Sequence, residues 1–225
     1  MDRFFNSDNA VMRALSKIFD IGWLSILYVI FCTPVVTVGA ATTSLYYVSA
    51  KVLRRDRSYV WTEFWRSFKQ NFVPATIMWV IIALIYGLLY FNLKVIGISD
   101  QESQYGGYLA GAYIALGAMF LCIVSYVFCV LSRFDMKVSK IFRFSLYLAF
   151  RHFLHTLALL VILIGSFLVI YFGFAKGIAI VLLVVPAGAS FLYTFPMEHL
   201  LKKYMPKTEP KYTEDGEEIV EWYNE

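Results

Sequence analysis

Four stretches of this chain, residues 75–93, 107–131, 153–175 and 178–201, are long and almost wholly apolar. Each is long enough, as helix, to cross the roughly 30 Å hydrocarbon core of a bilayer, and a water-soluble domain has no way to cover that many such surfaces. A fifth stretch, residues 21–50, contains no charged side chain at all. As one straight helix it would measure about 45 Å, well over the membrane thickness. Pro34 cannot donate a backbone hydrogen bond and disfavours helix at Thr33, and Gly39 accepts turn dihedrals, so the natural break is at residues 33–39. The preferred reading is a helical hairpin, residues 18–32 out and 40–53 back; the rival is one long kinked span. The expected fold is therefore an all-α polytopic bundle with six crossings, or five if the first segment is single.

Composition agrees with lipid as the solvent. The 225 residues are 60% hydrophobic and 16% charged, and the mean hydropathy is +0.64, too apolar for a soluble domain of this size. Residues 1–201 read as one transmembrane domain, and 202–225 as a tail that is first basic, then acidic. The first twenty residues lack a compact apolar core followed by a small-residue cleavage site, so the first hydrophobic segment is expected to be retained.

Lysine and arginine collect in two places. Lys51, Arg54, Arg55, Arg57, Arg66 and Lys69 stand against Asp56 and Glu63, and Arg133, Lys137, Lys140, Arg143 and Arg151 stand against Asp135. Cationic loops stay on the cytoplasmic side, which places both termini there in the six-crossing reading. Both loops also carry amphipathic helices. After Ser58, the residues Trp61, Phe64, Trp65, Phe68 and Phe72 recur at helical spacing opposite Glu63, Arg66 and Lys69. Ser139 leads into Ile141, Phe142, Leu146, Ala149 and Phe153, flanked by Lys140, Arg143 and Arg151. A basic face beside an aromatic one is the pattern of an interfacial helix among anionic lipid headgroups. The two loops together point to a duplicated unit of span, cytoplasmic helix, span.

Chemistry-bearing constellations are scarce. Lys94, Asp135, Lys176 and Glu198 fall at expected helix ends, where reaching for water accounts for them. His152 and His155 share a helix face without a carboxylate or cysteine at ligand spacing, and read as an interfacial pair. Cys32, Cys122 and Cys129 show no disulfide or zinc pattern. No phosphate loop, dinucleotide glycine pattern or nucleophile elbow occurs, so no enzyme activity and no cofactor are expected. The basic loops abut spans, which favours lipid or protein over nucleic acid. Two sets of residues are candidate partner contacts: the polar cluster Asn6, Asp8, Asn9 and Arg13, which also suits helix capping, and Gly39, Thr42 and Thr43 in a small-residue patch, which equally suits internal packing. Trp61, Trp65, Arg66 and Lys69 of the first basic helix complete the candidates.

The run FFNSDNAVMRALSKIFDIGWLSILYVIFCTPVVTVGAATTSLYYVSAKVLRRDRSYVWTEFWRSFKQNF resembles the YesL-like family of bacterial integral membrane proteins. The resemblance is strongest over residues 3–80, where TPVVTVGAATTSLYYV and SFKQNF are distinctive. It implies a small multi-spanning protein of the bacterial cytoplasmic membrane, encoded near carbohydrate-uptake transporters and polysaccharide-degrading enzymes, with no catalytic residue to carry over. The expectation that follows is a non-catalytic accessory subunit bound to the permease of a carbohydrate ABC importer. The alternative is a stand-alone transporter or channel for an uncharged solute, its path lined by Asn92, Ser125, Thr42 and Thr43 with aromatic platforms at Trp79, Tyr86, Tyr90, Tyr113 and Tyr126.

Overall fold

A computed structural model describes residues 10–55, 58–99, 104–178, 180–205, 211–212 and 218–219, with no side chain described before Leu15 or over residues 97–105. Seven α-helices follow in order: α1 Ala10–Cys32, α2 Val38–Val48, α3 Val60–Ser99, α4 Gln104–Leu131, α5 Val138–Arg151, α6 Phe153–Ala175 and α7 Ile180–Lys202. A short 3-10 turn, Val35–Thr37, precedes α2, and a π-turn, Ser49–Leu53, extends it. In the tail, β1 Lys211–Tyr212 pairs antiparallel with β2 Glu218–Ile219. The all-α polytopic bundle expected from the apolar runs is what forms.

Five helices, α1, α3, α4, α6 and α7, are long and apolar enough to cross a membrane. The break in the first apolar segment falls where Pro34 and Gly39 place it. Tyr28 and Thr42 bring their hydroxyls to 3.4 Å across that break, whereas fourteen residues of continuous helix would separate them by about 21 Å. Thus α1 and α2 lie side by side, which sets aside one continuous kinked helix. Yet α2 with its π-turn extends only about 24 Å, short of the hydrocarbon core. Among the described residues five helices are thus long enough for a full crossing, and α2 returns beside α1 as the shorter arm of the hairpin.

What α2 does instead is pack along α3. Gly39 sits so close to α3 that an added Cβ would lie 2.5 Å from the Ala75 carbonyl oxygen and 2.9 Å from Trp79 Cβ, and at the other end Lys51 pairs with Glu63 at 2.8 Å. The two helices therefore run antiparallel. Such proximity needs small side chains whose hydroxyls are already satisfied. Thr42, Thr43, Ser44 and Ser49 each bond the carbonyl four residues back, at 2.7 to 2.9 Å, so these four hydroxyls of α2 and its π-turn are satisfied within their own helix.

The basic aromatic segment and the span that starts at residue 75 form one helix, α3, of about 60 Å. Pro74 withholds a hydrogen bond from the Gln70 carbonyl. Both residues line an open polar cavity, where water can replace that bond. The second loop does break: His152 leaves helical geometry at φ −117°, ψ 56° and separates α5 from α6. The two halves of the suspected repeat thus differ in form. Two of the five aromatic residues of the basic segment also turn inward. Phe64 and Phe68 are buried and enclose Phe31 of α1 at ring distances of 5.4 and 4.9 Å.

Candidate functional site: a buried charge junction and its cavities

An acid inside an apolar helix is costly unless its charge is matched. Glu198, near the end of α7, is 5% exposed and meets two arginines and one tyrosine hydroxyl. Arg133, from the turn after α4, donates from Nε at 2.9 Å and Nη2 at 2.6 Å to Oε1. The Tyr46 hydroxyl of α2 donates to the same oxygen at 2.7 Å, and Arg55 reaches Oε2 at 3.4 Å. Arg133 stands over the Tyr46 and Tyr47 rings, 5.9 and 6.0 Å from their centroids. Arg54 donates to the Thr194 carbonyl at 2.8 Å and caps the Phe195 ring at 5.0 Å. One carboxylate thereby ties together α2, the loop after the π-turn, the end of α4 and α7. Reaching for water, the role expected of Glu198, is overturned by its burial.

Beside this junction lies an open cavity of about 680 Å³. Its walls come from α3, through Arg66, Ser67, Gln70 and Asn71, and from the turn after α4, through Ser132, Arg133 and Asp135. Neutral hydrogen-bonding side chains and apolar ones share the lining about equally, and Arg66 and Arg133 outweigh Asp135. A second cavity of about 300 Å³ opens among α1, α2, α4, α6 and α7. It is mostly apolar, with hydroxyls of Tyr28, Thr42, Ser125 and Tyr193 in its lining; Tyr193 donates to the Ser125 carbonyl at 2.7 Å.

The chain's three histidines meet at the junction of α5, α6 and α7. His152 and His155 rings are 5.8 Å apart, and His155 and His199 stack in parallel at 6.2 Å. His152 Nε2 pairs with the Tyr204 hydroxyl at 2.8 Å. Desolvation, then the neighbouring His155, Lys203 and Arg151, hold the His152 pKa below that of an ordinary imidazole. Among the described residues no group of histidine, cysteine and carboxylate side chains is placed to hold a metal.

The sequence candidates end up apart. Gly39 and Thr43 are buried within the chain's own packing, and Thr42 lines the smaller cavity. Trp61 and Trp65 stack on an exposed face, 6.1 Å apart and 5° from coplanar, with Lys69 4.8 Å over Trp65. Arg66 belongs to the large cavity instead. Asn6, Asp8 and Asn9 lie outside the described residues, as does the Arg13 side chain. Residue patterns missed the Glu198 junction and the meeting of His199 with the other two histidines. Only one signal pointed to the former, an acid four residues inside the end of an otherwise apolar helix.

The chain matches the model of a family described as "Protein of unknown function, DUF624" over residues 21–93. It is 29% identical over 128 residues to the Bacillus subtilis protein named "Uncharacterized protein YteU", covering 56% of each chain. It is also 22% identical over 146 residues to "Uncharacterized protein YesL" of the same organism, covering 63% of this chain and 68% of that one. The match thus spans little more than half of YteU. These similarities bear out the YesL-like resemblance. No solved structure is significantly similar.

Proposed function

We propose that this chain is a non-catalytic accessory subunit of the bacterial cytoplasmic membrane that docks on the permease of a carbohydrate ABC importer. Both basic loops and, in the hairpin reading, both termini face the cytoplasm. The observation that carries the reading is the cavity of about 680 Å³ between α3 and the turn after α4. It is open, and it is rimmed by arginine and amide side chains. The buried Glu198 junction on one side gives it rigid walls, which suits reception of a polar loop or helix end from a neighbouring subunit. The carbohydrate assignment rests on what the YesL-like resemblance implies. Affinity purification from sugar-grown cells in mild detergent tests it. Co-purification of importer subunits is expected, and their loss with Arg66→Glu; recovery of the chain alone overturns the proposal.

The smaller cavity favours a second reading. Its neutral hydroxyls among five helices suit an uncharged polar solute in a stand-alone transporter. Sugar flux into proteoliposomes holding only this chain would support that role, and absence of flux removes it.

A further inference from the structure

Helix α5 presents cations and apolar groups on the same exposed side. Ile141, Ser145, Leu148 and Ala149 turn inward, while Arg143, Leu146, Tyr147, Phe150 and Arg151 border one open groove of about 630 Å³. The helix contains no acid, and among the described residues no carboxylate pairs with Arg143 or Arg151. Arg143, Tyr147 and Arg151 recur at four-residue steps, one above another on the helix surface. The Arg151 guanidinium donates to the Tyr147 hydroxyl and lies 5.4 Å from its ring centroid, so tyrosine holds one of the two cations in place.

The position of the groove along the chain says what meets it. After the break at His152, the chain enters α6, which is long and apolar enough to span a bilayer. Phe153 and Leu154, the first residues of that span, are 63% and 79% exposed. The groove therefore occupies the three turns of chain that lead up to the point where lipid tails begin, the level at which headgroup phosphates lie. A floor of Leu146 and Phe150 between two arginines has the two characters of a phospholipid, an anionic phosphate and an acyl chain. Arginine presents a fork of donors that matches phosphate oxygens.

We propose that the α5 groove is a binding site for an anionic phospholipid, its phosphate held between Arg143 and Arg151 and the start of an acyl chain lying on Leu146 and Phe150. The site is independent of whether the chain serves an importer.

The test uses the full chain in neutral detergent, with the melting temperature and native mass spectrometry as readouts. The probes are phosphatidylglycerol, phosphatidylcholine and soluble glycerol phosphate. Phosphatidylglycerol is expected to raise Tm and to remain bound in the gas phase, phosphatidylcholine to do neither, and glycerol phosphate to have no effect at equal concentration. The R143A/R151A variant is expected to keep its lipid-free Tm and bind phosphatidylglycerol at least tenfold more weakly, while Lys176→Ala, at the exposed turn between α6 and α7, keeps full response. An equal response to phosphatidylcholine, an equal shift from glycerol phosphate alone, or full phosphatidylglycerol response in R143A/R151A overturns the proposal. Should the double alanine variant misfold, R143Q/R151Q retains side-chain length, and an undiminished response there overturns it equally.

Discussion

Replacing Glu198 by alanine takes its carboxylate away from Arg133, whose side chain is 3% exposed, and from Arg55. A buried charge left without its counter-ion costs about 3–5 kcal/mol, so a marked fall in Tm is expected for Glu198→Ala in detergent. The double variant E198A/R133A should lose less than the sum of the two single losses, because the second change removes the stranded charge. Strict additivity in that thermal cycle would mean that the two side chains do not interact. At the histidine cluster the expected effect is a pH dependence. His152 has a depressed pKa in the folded protein, so its contribution is fully present above the ordinary imidazole value of about 6.5 and is lost as pH falls through the lower folded value. Tm should therefore decline on acidification, and less so in His152→Gln. An identical pH profile in that variant would deny the residue any such role. Neither result could be foreseen at this scale from the chain alone. Glu198 and Arg133 are 65 positions apart, and residue spacing carries no information about partners so distant.

At the scale of elements, the pairing of α2 with α3 depends on one absent side chain. A Cβ at Gly39 would press on the Ala75 carbonyl and Trp79 Cβ, backbone and branch point rather than the yielding tip of a side chain. Gly39→Leu is expected to cost upward of about 1–3 kcal/mol from overpacking, read as a lower Tm and a lower yield of monodisperse protein. Unchanged stability would mean that the two helices do not meet there. The glycine was visible in the sequence as part of a small-residue patch. Whether the patch faced a neighbour of the same chain or another subunit was not, since the same requirement for close approach serves both. The helical periods of both basic segments were equally legible. Their ends were less so: α3 continues through Pro74 from the basic segment into the span, and α5 stops at His152, where no proline or glycine announces it. Tertiary surroundings act in both cases, an open polar cavity at the first and a hydrogen bond between the His152 ring and the Tyr204 hydroxyl at the second.

For the whole molecule the accessible question is which side each loop faces. With the basic loops inward, cysteines at Ser58 and Lys137 should react with a membrane-impermeant maleimide only after cells are opened, while one at Lys176 should react in intact cells. The reverse pattern would invert the bundle and remove the basis for a cytoplasmic docking surface. That the chain is a helical membrane bundle follows from sequence alone, because long uncharged runs have no other stable environment, and hydrophobicity adds up locally along a helix without reference to the rest of the fold. Partnership does not add up this way. The convergence of Arg55, Arg133 and Tyr46 on Glu198, the gathering of three histidines and the division of the aromatic face between core and surface all join residues far apart in the chain. They were settled only when packing brought those helices together, since charge matching and close contact depend on distance in space and not on position in the sequence.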